Sequence, residues 1–267
     1  MIRDCKIIRE IAQGGQKTVY LAEHPEIGLV VIKKGAIKSF TSLERIKREV
    51  ELLSILKSDF YPQQYHFYID VKTKEFEIVE DYIEGKVLRE AVQQFKSANE
   101  IFTLLKSLVE GLSIIWEKNI VHRDLKPENI IIRPNGMPCI IDFGIARFLD
   151  LDSLTKTISP MGPCTPLYAA PEQLSNHKNL IDPRTDFFTL GIIALELFLG
   201  VHPFDPLYVG NHYSIVENIM QNKYIVETVG TNKVDAIVDF ANKTLQTQPY
   251  YRFRNYQMIN TFIAKQI

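Results

Sequence analysis

Cysteine is scarce in this chain: Cys5, Cys139 and Cys164 are scattered and odd in number. That argues against a disulfide framework and a cysteine-built zinc site. It fits a reducing compartment, so a cytoplasmic location is expected. An excess of either charge is also missing, with 31 Lys and Arg against 32 Asp and Glu. Without a bulk field there is no reason to expect a nucleic-acid partner or an anionic membrane surface. Long hydrophobic runs are absent as well. The longest, Leu190 to Leu199, is too short to cross a bilayer and contains Glu196, so no membrane segment is expected. The first residues carry no signal-peptide apolar core. Neither an internal repeat nor a low-complexity stretch occurs. What is present is the balance of an ordinary globular protein, 46% hydrophobic and 24% charged over 267 residues. That length fits one large domain or two lobes.

The first eighty residues have strand character, with one helix. Lys6 to Ile11 and Val19 to Glu23 are β-rich runs around a glycine-containing turn, and Leu29 to Lys33 follows a second turn at Pro25 to Gly28. Thr41 to Lys57 has helical spacing, with Ile46, Val50 and Leu53 on one face, and Thr41 with Glu44 can form a capping box. Two more strands are expected, at about Gln64 to Val71 and Lys74 to Tyr82. After Gly85 the pattern becomes helical, at about Ala98 to Lys118, Asp186 to Gly200 and Val234 to Thr247. A small β-rich lobe (about 1–80) thus joins a larger helical lobe (about 86–267) through residues 81–85. Ligands favour clefts between lobes.

The strongest chemical signal is His122-Arg123-Asp124-Leu125-Lys126-Pro127-Glu128-Asn129, after a long helix and before the apolar run Ile130-Ile131-Ile132. Asp142-Phe143-Gly144 follows thirteen residues after Asn129 and leaves a short apolar strand. In this order the two motifs resemble the eukaryotic-like (Hanks-type) serine/threonine protein kinase family, closest in character to the compact kinases of bacteria. The resemblance extends from Ile7 to about Ile263. It implies an α+β bilobal protein-kinase fold: a five-stranded antiparallel lobe with one helix, and a mainly α-helical lobe. It also implies ATP and Mg²⁺ as cofactors and protein Ser/Thr hydroxyls as acceptors.

The chemistry explains the spacing. In-line phosphoryl transfer needs an acceptor for the attacking hydroxyl's proton, which is Asp124's expected role. Lys126 can neutralise charge on the moving group, and lysine here is what the serine/threonine branch carries. Asn129 and Asp142 can hold Mg²⁺. His122 is expected to be a packed core histidine. On Val30-Val31-Ile32-Lys33, strand alternation puts Val31 and Lys33 on one face and Lys34 on the other. By resemblance Lys33 binds the phosphates, held by Glu49, and Val31 covers the adenine. Glu51 points away from that helix face.

The glycine turn departs from the family pattern. In Ile11 to Tyr20 only Gly14 matches the family's three glycines, with Ala12 and Lys17 in place of the others. Lys17 brings a positive charge near the phosphates, beside Gly15 and Val19 in the expected ATP-binding set. Asp81 and Ile83 are expected to offer backbone groups to the adenine edge, and Ile131 belongs to the same set. Glu80 falls behind the adenine, where burial would force it to find a lysine or water.

Residues 142–172 form the expected activation segment, ending Cys164-Thr165-Pro166-Leu167-Tyr168-Ala169-Ala170-Pro171-Glu172. Thr165 should lie beside the catalytic loop and Glu172 should pair with Arg252. Asp186 resembles the start of the family's central helix, which implies that it holds the catalytic-loop backbone. Arg123 could receive a phosphate on Ser153, Thr155, Thr157 or Ser159, so autophosphorylation is expected. Two other readings stay open. A pseudokinase is supported only by the altered glycine turn, and a small-molecule kinase is disfavoured by the segment ending at Glu172.

Overall fold

The computed structural model describes residues 4–13, 17–70, 72–95, 97–143, 147–148, 164–225 and 232–267. Gly14, Gly15, Gly144 and the four phosphosite candidates Ser153, Thr155, Thr157 and Ser159 lie outside these residues. The chain forms two compact bodies, one of residues 1–85 with 139–144, the other of 86–138 with 145–267.

The first body is an antiparallel sheet of β1 (Lys6–Gln13), β2 (Lys17–His24), β3 (Gly28–Ala36), β4 (Gln64–Asp70) and β5 (Glu75–Asp81), in the order β1-β2-β3-β5-β4. The β2–β3 hairpin closes on His24, whose Nδ1 accepts the amides of Glu26 at 3.1 Å and Ile27 at 3.3 Å. Gly28 then takes φ +88°, a conformation that glycine adopts without strain. The pleat sorts the side chains. Val30 and Ile32 pack with Ala22 and Val79 on one face. Ile78 packs with Ile46 and Phe76 on the other, where helix α1 (Phe40–Ile55) lies.

Helix α1 begins at Phe40, two residues earlier than the capping-box reading requires. Thr41 therefore lies within the first turn instead of preceding it, and Glu44 pairs with Lys47 at 3.7 Å. Glu51 is exposed, as its helix phase requires. Residues 139–143 are tied to this body by the Ile140 amide on the Phe60 carbonyl at 2.8 Å. Phe143 packs edge-on against Tyr61, with ring centres 5.2 Å apart.

The second body runs through β6 (Lys86–Val87), α2 (Leu88–Ala91), α3 (Ala98–Trp116), β7 (Ile120–Val121) and β8 (Ile130–Ile132). After β9 (Pro138–Ile140), whose last two residues belong to the first body, come β10 (Arg147–Phe148), α4 (Pro171–Leu174), α5 (Pro183–Leu199) and α6 (Pro206–Val209). Helices α7 (Ile215–Met220), α8 (Asn232–Thr244) and α9 (Tyr256–Ile263) complete it. Ser97 and Glu100 form a reciprocal capping box on α3. Helix α5 is buried on every side from Thr185 to Leu197, as expected of a core helix with no polar face. Asp182 caps its start, and Gly200, at φ +74°, ends it. Gly191 lets α8 approach closely, since a Cβ there would lie 2.2 Å from Thr244 Oγ1.

Candidate active-site residues

In the first body, strand register gathers a set of charges on the α1 face. Val19 stands opposite Lys33, and Val31 opposite Glu80. Cross-strand partners share a face, and so do residues two apart on a strand. Lys17, Lys33 and Glu80 therefore all point towards α1, which presents Glu49. Lys33 Nζ lies 2.7 Å from Glu80 Oε1 and 3.3 Å from Glu49 Oε1. Lys17 Nζ lies 3.3 Å from the same Glu49 oxygen and 2.9 Å from Asp142 Oδ1. Glu80 thus finds the lysine its burial demands. Burial alone would suppress the charge on both lysines, but the carboxylates prevail, Glu80 first for Lys33 and Glu49 first for Lys17, and hold both ammoniums above their ordinary range. Burial raises the Glu80 carboxyl, with Lys33 opposing. Lys34, on the opposite face, is 44% exposed in its side chain and pairs with Glu77.

The remaining positions of the expected ATP-binding set have simpler surroundings. Ala12 is exposed and paired with Val19, which is half-buried like Val31. Asp81 donates its amide to the Gln63 carbonyl at 2.9 Å, which leaves the carbonyl as the backbone group that could meet a ligand. Its carboxylate is held by the Gln63 amide at 2.9 Å and by Tyr65 Oη at 2.5 Å. Ile83 is buried. In the second body, Ile131 is half-buried and registers with Val87.

The loop after β7 in the second body is organised around Asp124. Thr165 donates both its hydroxyl, at 2.6 Å, and its amide, at 3.1 Å, to Oδ1. Lys126 Nζ sits 2.9 Å from Oδ2 and 2.7 Å from Thr165 Oγ1. Asn129 spends its amide nitrogen on the Asp124 carbonyl at 2.9 Å and on Oδ2 at 3.3 Å. Its side-chain oxygen is thereby left as the atom able to meet a cation. His122 is fully buried, and its Nδ1 accepts the Asp124 amide at 3.3 Å.

A buried carboxylate holds this loop from below. Asp186, on α5, accepts the amides of His122 and Arg123, each at 2.9 Å, and Trp116 Nε1 at 2.8 Å. Burial raises its carboxyl, with these donors opposing. The loop needs such a clamp, because Arg123 has φ +70°, a left-handed conformation that costs a non-glycine residue about 1–3 kcal/mol. Asp142, in the first body, is held at φ +67°. Gln173 Nε2 adds a bond to the Arg123 carbonyl at 2.8 Å.

The end of the expected activation segment is fastened by a buried ion pair. Arg252 grips Glu172 through Nη1–Oε1 at 2.7 Å and Nη2–Oε2 at 2.8 Å, both side chains being almost wholly enclosed. Cys164 keeps its thiol: burial raises it to about 11, with Arg123 opposing and Asp124 assisting.

Residues 5–262 match the family described as the protein kinase domain. The chain belongs to that family. It is similar to the serine/threonine-protein kinase ATG1a of Arabidopsis thaliana, with 27% identity across 100% of this chain and 42% of that protein. It also resembles PrkC of Bacillus subtilis, at 30% identity over 75% of this chain and 31% of the relative. The serine/threonine-protein kinase pkn2 of Myxococcus xanthus is 31% identical over 75% of this chain and 25% of the relative. The chain therefore spans a quarter to two fifths of these relatives' lengths. Protein kinases use ATP and Mg²⁺.

The kinase chain also holds a cluster that sequence reasoning passed over. Arg89, on α2, reaches Glu128 through Nε at 2.7 Å, Glu196 through Nη1 at 2.5 Å, and the Tyr168 hydroxyl. Tyr168 in turn donates to Glu196 at 2.6 Å. Arg89 lies in no recognisable motif. The available signal was Glu196, a carboxylate inside the apolar run Leu190 to Leu199, which had to find a cation.

Proposed function

We propose that this chain is a serine/threonine protein kinase that transfers the γ-phosphoryl group of ATP to hydroxyls of protein substrates. The observation that carries the reading is the Asp124 carboxylate, held by Lys126 and Thr165 in one hydrogen-bonded triad. Asp124 accepts the proton of the attacking hydroxyl. Lys126 neutralises charge developing on the transferred group, and the Thr165 hydroxyl fixes the carboxylate. Asn129, of the second body, and Asp142, of the first, would be the residues to hold Mg²⁺, which would supply positive charge to offset that of the phosphates. The donor set fits that ion. Magnesium takes one or two carboxylates and leaves its other positions to water and phosphates. Among the described residues no group of three or more His, Cys, Asp or Glu forms a cage for a softer metal. An ammonium held on Glu49 anchors the nucleotide phosphates, while Val19, Val31, Ile131 and the backbone of Asp81 and Ile83 receive the adenine.

Arg123 gives a phosphate in segment 149–163 a cationic partner, which supports activation by autophosphorylation. Three scattered cysteines suit a reducing, cytoplasmic setting. Among the described residues no helix is long and apolar enough to cross a membrane. The test is transfer of labelled γ-phosphate to a generic protein substrate, followed by analysis of the phosphorylated residue type. Label on serine or threonine that disappears in Asp124→Asn is expected. Label on tyrosine alone would refute the acceptor class.

A further inference from the structure

Two lysines converge on one carboxylate oxygen, and their side chains differ in exposure, 20% for Lys17 against 5% for Lys33. We infer that Lys17, on the strand after the glycine turn, is the ammonium that engages the nucleotide phosphates, while Lys33 is the fixed counter-ion of Glu80. This rests on the kinase reading above and deepens it.

The two ammoniums lie at the same distance, 3.3 Å, from Glu49 Oε1. Their other partners differ. Lys33 has Glu80 at 2.7 Å, and the side chains of that pair are only 5% and 4% exposed. Moving Lys33 onto a phosphate would strip a buried carboxylate of its partner, since Glu80 Oε2 has no hydrogen-bond partner among the described residues. Strand register sets both backbones, with Lys33 opposite Ile78 and Glu80 opposite Val31.

Lys17 is 20% exposed, and its second partner, Asp142, is 33% exposed. Asp142 is the carboxylate proposed to take Mg²⁺. The cluster holds two ammoniums against the three carboxylates of Glu49, Glu80 and Asp142. A divalent cation on Asp142 replaces the charge of Lys17 there, so Lys17 can leave that oxygen without stranding a buried anion. A long flexible stem and a compact charge suit the ammonium to follow phosphate oxygens. Lysine in place of the family's third glycine is then a functional substitution.

The experiment measures Mg·ADP binding by calorimetry and thermal unfolding on the full chain, for wild type, Lys17→Met, Lys17→Arg, Lys33→Met and the double variant Lys33→Met/Glu80→Met. Lys17→Met is expected to weaken Mg·ADP at least tenfold with little change in melting temperature, and Lys17→Arg to recover part of that loss. Lys33→Met is expected to melt earlier because Glu80 is stranded. The double variant should regain the melting temperature and bind Mg·ADP at least threefold more tightly than Lys17→Met. Wild-type-like binding by Lys17→Met, or an equal or larger loss in the double variant, would overturn the assignment. A wild-type chain that binds no magnesium nucleotide would instead overturn the kinase reading on which it rests.

Discussion

Replacing Arg252 with methionine should be among the most destabilising single changes in the second body. The guanidinium makes two bonds to Glu172 and donates to the carbonyls of Gln246 at 2.8 Å, Arg184 at 2.8 Å and Thr247 at 3.3 Å. It also lies 4.9 Å from the centre of the Phe188 ring. Methionine fills part of that volume and replaces none of the five bonds. Glu172 is left buried, with the Thr185 hydroxyl at 2.9 Å as its remaining partner. Breaking a buried pair from one side costs about 3–5 kcal/mol, mostly through the stranded charge. For a body of this size that is a fall in melting temperature on the order of 10 °C. Circular dichroism during heating and in urea reads it directly. The double variant Arg252→Met/Glu172→Met removes the stranded charge and should recover at least half of the loss. A single variant within about 1 kcal/mol of wild type, or a double variant as unstable as the single one, would refute the reasoning.

Three further outcomes are expected. Asp186→Ala strands Trp116 Nε1 and the amides of His122 and Arg123, and should cost at least about 3 kcal/mol in urea unfolding. Gly191→Ala drives a methyl group into Thr244 Oγ1 and should cost about 1–3 kcal/mol, whereas an unchanged urea midpoint would show that α8 yields freely. His202, whose Nε2 lies 3.0 Å from the Leu167 carbonyl, has its pKa lowered from 6.5 mainly by burial, with Glu196 opposing. Its contribution is present above the unfolded value and lost as pH falls through the lower folded one. The denaturation midpoint should therefore drop on acidification below 6.5, and His202→Gln should flatten that part of the profile.

The readable parts of the sequence were those in which chemistry and local geometry coincide. Alternation on β3 separated Lys33 from Lys34, and helix phase selected Glu49 over Glu51; the structure places all four accordingly. The roles of Glu172 and Asp186 were legible through the resemblance to the kinase family, and the structure gives each enclosed carboxylate its donors. The start of α1 was misplaced because Thr41 and Glu44 have capping spacing, yet the helix extends back to Phe40. Lys17 was expected to bring charge to the glycine turn. Its convergence with Lys33 on Glu49 depends on pairing between β2 and β3, and its bond to Asp142 spans 125 positions. Neither follows from local pattern. Arg89 escaped for the same reason, since its partners lie 39, 79 and 107 positions away.

The most direct test of the central claim follows the intact mass of the purified chain incubated with Mg²⁺ and ATP, beside Asp124→Asn and Asp142→Asn. Phosphate-sized increments are expected in the wild type and in neither variant, with peptide mapping placing them among Ser153, Thr155, Thr157 and Ser159 if the segment is the acceptor. Nucleotide binding without transfer to itself or to any protein substrate would contradict that claim, and would make this fold a binding module whose glycine turn has been rebuilt around Lys17.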